Sequence, residues 1–145
     1  METKNELILH IYDSSKMGIN SLKNLLTELK NKENKLKKEV ENELKEYEKF
    51  YKETQKILKK EDVELNDNNI MAKMMSKMGI KKEVMNDNSD AKIAQILTQG
   101  LTMGVVEITS KIDTYKDIVD KKHLNLAKDY LKFQENSIEE LKQYL

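Results

Sequence analysis

The stretch SSKMGINSLKNLLTEL (residues 14–29) decides the fold, because a second stretch, GLTMGVVEITSKIDTY (residues 100–115), repeats its pattern. Each begins with a small residue, continues to Met-Gly, and is followed by apolar residues spaced three and four apart. The two align at one constant offset, which places Ser14 opposite Gly100 and Gly18 opposite Gly104. This spacing is typical of a helix that is buried on one face.

A second pair of matching segments follows the first. EYEKF (residues 46–50) resembles DYLKF (residues 129–133), and the linker that leads to the second copy is shorter. Each half of the chain thus contains two helical patterns separated by a short bend. A short bend favours antiparallel packing of neighbouring helices. The chain therefore reads as one helical hairpin written twice.

The helical periodicity extends over most of the 145 residues, and one domain is expected over residues 1–145. The connection between the hairpins is long, and long connections in compact domains usually carry structure or function. It contains an apolar segment that predicts a short helix. The predicted helices cover residues 3–30, 33–60, 89–117 and 120–145, and the crossover 61–88 contains the short helix at about 69–78.

The predicted fold is an all-α, four-helix antiparallel bundle of two similar hairpins joined by a long crossover. This arrangement resembles the ferritin-like superfamily, in its bacterial spore-coat-like or uncharacterised branch. The resemblance lies in the repeated hairpin and the crossover. A bundle with up-down-up-down order and an irregular loop is the alternative.

The ferritin-like resemblance implies a di-iron centre only where its ligands are present. Such centres take one Glu from each of two helices and a Glu-x-x-His from each of the other two. This chain has no Glu-x-x-His, and the repeat partner of Glu107 is Ser21. We therefore predict no metal and no cofactor. Glu107, Glu43 and Glu46 are the residues of the alternative, a metal or small-molecule site.

Composition argues against several other functions. All 26 basic residues are lysine, and 26 acidic residues balance them. The chain therefore lacks both the arginines that usually recognise phosphates and bases and the excess positive charge that favours nucleic-acid binding. The chain has no cysteine, no Gly-x-Ser-x-Gly and no Gly-rich phosphate loop. Charged residues near the start argue against a signal peptide, and no apolar run is long enough for membrane insertion. We predict no catalytic residues and a cytoplasmic location.

The small residues Ser14, Gly18, Gly100 and Gly104 predict a close contact between helices. Glycine inside a helix costs up to ~1 kcal/mol relative to alanine, so its use at two matching positions suggests a demand for space. We interpret the demand as close approach of the first and third helices. The alternative is a cavity beside these residues that holds a ligand.

Polar residues on the apolar faces suggest an interior layer of Ser15, Gln99, Glu107 and Gln134. Buried polar groups need hydrogen-bond partners, and a network of them helps to define one register. We interpret the layer as structural, with a ligand site as the alternative.

The crossover contains a cluster of methionines, whose flexible side chains adapt to varied partners. The residues are Met71, Met74, Met75 and Met78. Covering the bundle is their expected role, and a docking patch is the alternative. The preferred function is a non-enzymatic structural or interaction bundle with a protein partner, for which a second copy of the chain, in a homodimer, is one candidate. Small-molecule or metal binding near Glu107 is the alternative.

Overall fold

The computed structural model describes residues 2–65 and 87–145, and within these residues it is all-helical, with four α-helices and no strand. Two short 3-10 turns flank them at Glu2–Asn5 and Lys142–Tyr144. The four helices are α1 (Glu6–Glu28), α2 (Lys37–Lys60), α3 (Asp90–Tyr115) and α4 (Lys121–Leu141). The predicted crossover helix at 69–78 lies outside the described residues.

The helix ends follow local sequence signals. The Ser89 hydroxyl accepts a hydrogen bond from the Lys92 amide at 3.2 Å, and Asp120 Oδ1 accepts one from the His123 amide at 2.8 Å. These are N-caps of the usual kind for serine and aspartate. At the end of α2, Asp62 takes a left-handed conformation (φ 56°), and the Val63 amide donates to the Leu58 carbonyl. This pattern closes the helix as a Schellman turn.

The bend between α1 and α2 is longer than expected. α2 begins at Lys37 and not near residue 33. Within this bend, the Asn34 side-chain amide donates to the Asn88 carbonyl and to Asp90 Oδ1, each at 2.8 Å. The Lys35 amide donates to Asp90 Oδ2 at 3.1 Å. The start of α3 is therefore held beside the start of α2.

Contacts along α1 and α2 pair the start of one helix with the end of the other. The Lys4 ammonium lies 3.4 Å from a Glu61 carboxylate oxygen, and the rings of Tyr12 and Tyr51 stack at 5.0 Å. Further along, Gly18 faces the ring of Tyr47.

One hydrophobic core contains buried residues from all four helices. At its centre, four aromatic rings from α2 and α4 pack together. Tyr47 meets Phe133 edge-on at 4.9 Å, and Phe50 meets Tyr130 edge-on at 5.0 Å. Such pairs stabilise a core beyond their buried area. The candidate functional residues lie next to this core.

The buried faces of α2 and α4 do not include all of their large aliphatic residues. Leu44, Leu131 and Ile138 are only half-buried, although they are apolar. The core side of these helices instead includes Glu43 on α2 and Tyr130 on α4. The large aromatic rings bury more area than the leucines, and this orients the two helices.

Within the described residues, none of the helices has both the length and the apolar character required to cross a membrane.

Candidate functional site

The two repeated glycines make room for side chains of the neighbouring helix in their own hairpin. A Cβ added at Gly18 would lie 2.7–2.8 Å from ring carbons of Tyr47 on α2. A Cβ added at Gly104 would lie 2.5 Å from Nε2 of Gln134 on α4. The nearest atoms are thus not backbone atoms of the other glycine-bearing helix. This corrects our interpretation that the glycines serve contact between the first and third helices.

A cavity lies between the helices beside these glycines. It offers about 90 Å³ to the centres of water-sized molecules, and its lining is mostly apolar. This is enough for several water molecules or a small organic ligand, since one water needs roughly 10–15 Å³ by this measure. The lining residues are Ser14, Met17, Gly18, Ser21 and Leu22 of α1, Glu43 and Tyr47 of α2, Leu97, Gly100, Leu101, Met103, Gly104 and Glu107 of α3, and Gln134 of α4.

The four predicted small residues therefore lie close together, but they surround a cavity and do not form a close helix contact. All four of Ser14, Gly18, Gly100 and Gly104 line the cavity. Small side chains leave a gap between α1 and α3 that larger ones would fill. The alternative drawn from the sequence, a cavity beside these residues, describes their position better than close packing does.

Glu43 is the most unusual residue of the lining. Its side chain is buried, with 5% exposure, and its Oε1 has no hydrogen-bond partner among the described residues. Burial raises the pKa of Glu43 from 4.5 to about 8, and the nearby carboxylate of Glu39 adds to the shift. The carboxyl group is therefore mostly protonated at pH 7 and can both donate and accept a hydrogen bond.

Gln134 and Tyr47 form the second polar element. Burial keeps the pKa of Tyr47 well above its ordinary value, and the nearby side-chain amide of Gln134 partly opposes the shift. Gln134 is 2% exposed, and its Oε1 also has no hydrogen-bond partner in the described part of the chain. The cavity lining thus includes two buried side chains that each carry an unsatisfied acceptor oxygen.

A short hydrogen bond joins α1 and α4 beside the cavity. The Ser14 and Tyr130 hydroxyl oxygens lie 2.6 Å apart. Burial raises the pKa of Tyr130 well above its ordinary value, while the hydrogen bond to Ser14 opposes the shift. This bond ties the hydroxyl of Ser14, a residue that lines the cavity, to a buried side chain of α4.

The predicted interior polar layer is only half present. Ser15 and Gln134 are buried, whereas Gln99 and Glu107 are exposed, so the layer of four is wrong for the two residues of α3. Gln99 does not line the cavity, but Glu107 does. A helix places adjacent residues on different faces, so the burial of Ile108 leaves Glu107 toward solvent.

The carboxylates of the alternative metal site do not come together as a ligand set. Glu43 and Glu107 line the cavity, while Glu43 and Glu46 line a separate surface depression between α2 and α4. Across residues 2–65 and 87–145, no group of three or more His, Asp or Glu side chains is placed to hold a metal ion. The donors present thus do not fit a di-iron centre, which needs carboxylates and imidazoles from four helices.

The methionine docking candidates Met71, Met74, Met75 and Met78 lie outside the described residues. The expected protein partner stays a prediction.

Sequence reasoning missed the burial of Glu43, although a signal for it exists. Leu36, Val40, Glu43, Tyr47 and Phe50 advance by alternating steps of four and three, which is the spacing of a buried helical face. Leu44, one residue further on, is apolar but only half-buried, so hydrophobicity alone points to the wrong face. Ser21 and Met17 carried no signal that distinguished a cavity wall from ordinary packing.

The described helices thus enclose a cavity with a buried carboxyl group, an amide and several hydroxyls in its lining. No protein-family model, no curated protein and no solved structure matches this chain.

Proposed function

We propose that this protein binds a small organic molecule in the cavity between its helices. The observation that carries the proposal is the pair of unsatisfied acceptor oxygens, on Glu43 and Gln134, in the lining of an otherwise apolar cavity. Ligand sites are typically concave and apolar with a few placed polar groups. The interaction module that the sequence favoured becomes the second choice, because it gives these groups no role.

The energetic cost of the arrangement supports a ligand. A buried acceptor without a partner costs about 1–3 kcal/mol. Leucine or methionine in place of Glu43 would remove that cost and the desolvation of a carboxyl group. A helical glycine adds up to ~1 kcal/mol relative to alanine. A ligand that donates hydrogen bonds to both oxygens would offset these costs when it binds.

We further propose the ferritin-like topology as the scaffold. Contacts between Lys4 and Glu61 and between Gly18 and Tyr47 support an antiparallel first hairpin. The hydrogen bonds from Asn34 to Asp90 support α2 and α3 starting at the same end of the bundle. If α2 and α3 start at the same end, the connection from the end of α2 to the start of α3 must run along the length of the bundle. A long crossover of that kind is the ferritin-like arrangement.

Binding is tested by thermal unfolding and by NMR titration with a panel of small neutral, cationic and anionic molecules. A ligand that binds only the folded state raises the melting temperature, and the stabilisation grows with the logarithm of the ratio of its concentration to Kd. We expect at least one class to stabilise the protein and to shift resonances of cavity residues.

Gly100→Leu is the blocked variant, because Gly100 lines the cavity and a leucine side chain there takes up space in it. Gln99→Leu is the matched control, since Gln99 is exposed on the same helix and does not line the cavity. The stabilisation should disappear in the first variant and persist in the second. The proposal fails if no molecule stabilises the parent, or if Gly100→Leu responds as the parent does.

A further inference from the structure

We propose that the ligand is a small primary ammonium ion carrying a short alkyl chain. Its N–H groups would donate to Glu43 Oε1 and Gln134 Oε1, and its chain would lie against the leucines of α1 and α3. This inference rests on the proposed function, because it names the class of molecule that the cavity takes.

The polar groups of the lining select for a donor. Once Glu43 has lost its proton, the two buried oxygens without partners are both acceptors, one from a carboxylate and one from an amide. Glu107 adds a second carboxylate, and Ser14 and Ser21 add hydroxyls. No lysine or histidine is among the described residues that line the cavity. An ammonium ion offers three donors and no acceptor, which matches this set.

The apolar part of the lining selects for a short hydrocarbon chain. Leu22 of α1 and Leu97 and Leu101 of α3 are all buried and all line the cavity. Each additional methylene group buried there should raise the affinity about fourfold, until the space is filled. The modest volume limits the ligand to a few carbon atoms.

The charge of the ammonium group needs a compensating charge, because an isolated ion in an apolar cavity is strongly unfavourable. Glu43 supplies it by losing its proton. The pKa of Glu43 is about 8 in the free protein, so near pH 7 the carboxyl group must release a proton when the cation binds. A nearby cation favours the ionised carboxylate, and the resulting ion pair is hydrogen-bonded as well as buried.

Only acidic or neutral groups surround Glu43 in the two depressions that it lines. On its own helix, Glu39 raises its pKa, and Tyr47 lies one turn further along. Helix α4 presents Glu140 and Gln134, and helix α3 presents Glu107. Glu46 lines the surface depression on the side of α2, and α1 contributes Ser14 and Ser21 to the cavity. None of these groups neutralises an ionised Glu43, which leaves that role to a bound cation.

The experiment compares butylammonium chloride, 1-butanol and sodium butyrate by isothermal titration calorimetry with the full chain. Butylammonium should bind more tightly than 1-butanol, and butyrate should not bind. Repeating the titration in buffers of different ionisation enthalpy gives the number of protons released. We expect about one proton per ligand near pH 7, and an affinity that rises about tenfold per pH unit from pH 6 to 7.

Three variants locate the site. Glu43→Gln keeps the size of the side chain but cannot ionise, so it should weaken butylammonium binding about tenfold or more and abolish proton release. Glu41→Gln is the matched control, because Glu41 is exposed on the same helix and lines neither depression, and it should leave the affinity unchanged. Gly100→Leu should abolish binding if the cation enters the cavity and not the surface depression beside Glu46.

Two results overturn the amine assignment while leaving the proposed function intact. One is tighter binding of 1-butanol or butyrate than of butylammonium in the parent. The other is binding of butylammonium without proton release. Binding of butylammonium that survives in Gly100→Leu contradicts the location in the cavity. If none of the three probes binds while other molecules of the panel do, the alkylammonium assignment also falls.

Discussion

In the first hairpin, Met17 is 8% exposed and Gly18 lies beneath the ring of Tyr47. At the matching positions of the second hairpin, Met103 is 58% exposed and Gly104 lies against the side chain of Gln134. The repeat therefore preserved the space beside each glycine but not the group that fills it. A rigid aromatic ring occupies one position and a flexible amide occupies the other.

The difference between the hairpins explains where the cavity lies. If the contacts matched, Gly104 would meet Tyr130, the counterpart of Tyr47. Tyr130 is instead buried against Phe50 and hydrogen-bonded to Ser14. Gln134, one turn further along α4, takes its place and brings a polar group into the lining. The similar spaces beside Gly18 and Gly104 are therefore filled unequally, and this leaves the gap that we propose as a ligand site.

The matching methionines give the largest expected contrast. Met17→Ala should lower the free energy of unfolding by about 2 kcal/mol, because a buried methionine side chain is lost from the wall of the cavity. Met103→Ala should change it by less than about 0.5 kcal/mol, because the side chain is mostly exposed. Urea denaturation of both variants measures the difference. Equal effects would contradict the unequal environments of the two repeats.

The buried acid of the first hairpin should give the protein an unusual pH dependence. The folded-state pKa of Glu43 is raised to about 8, so its contribution to stability is lost as the pH rises from 4.5 to 8. Burial and the nearby Lys111 lower the pKa of His10 to about 4, so its contribution is lost as the pH falls from 6.5 to 4. These two effects oppose each other between pH 4.5 and 6.5.

Above pH 6.5, only the loss from Glu43 remains appreciable, and the free energy of unfolding should fall by about 1.5 kcal/mol by pH 8. Denaturation curves across this range measure the fall. Glu43→Gln should remove it, while Glu107→Gln, at an exposed carboxylate, serves as the control and should keep it. A parent protein whose stability is constant from pH 6.5 to 8 would show that Glu43 is not buried as described.

Substituting alanine for each glycine compares the Tyr47 ring, which packs against Gly18, with the Gln134 amide, which packs against Gly104. Gly18→Ala should lower the free energy of unfolding by about 1 kcal/mol, because the ring of Tyr47 must move and the gain in helix propensity only partly compensates. Gly104→Ala should be nearly neutral, because the end of the Gln134 side chain can shift. Thermal unfolding of the two variants side by side measures this, and a larger loss at Gly104 would reverse our interpretation.

Removing single hydroxyls from the paired tyrosines should have the smallest effects. Tyr47→Phe should cost about 1 kcal/mol, because the buried amide of Gln134 loses its polar neighbour. Tyr130→Phe should cost about 0.5 kcal/mol, because the half-buried Ser14 can exchange its hydrogen bond for one with water. Denaturant titration distinguishes them, and a larger cost at Tyr130 would indicate that the Ser14 contact is the more important one.

Much of the helical architecture could be predicted, because helix formation depends on local spacing and on capping residues. Ser89 and Asp120 begin helices within two residues of the predicted starts. α2 is the exception, since the bend before it is held by Asn34 and Asp90, which are far apart in sequence. Single-sequence patterns contain no information about such distant pairs.

The candidate site could be predicted only in part. Its small residues were identified by the repeat, but their role was assigned to helix contact. Glu43 was named only as an alternative metal ligand, and Gln99 was placed inside although it is exposed. These errors share one cause: a rotation of a helix by about one residue exchanges buried for exposed positions while leaving the apolar periodicity nearly unchanged.

The sequence by itself determined four helices, the N-caps of α3 and α4 and the small residues in α1 and α3, because each depends on residues that are close together in the chain. Only the tertiary structure decided that the spaces beside Gly18 and Gly104 are filled differently, that Glu43 and Gln134 share a cavity, and that Glu43 is neutral near pH 7. Those properties depend on which side chains from other helices reach the same space and exclude water from it. Packing across the bundle sets that outcome, and local pattern does not.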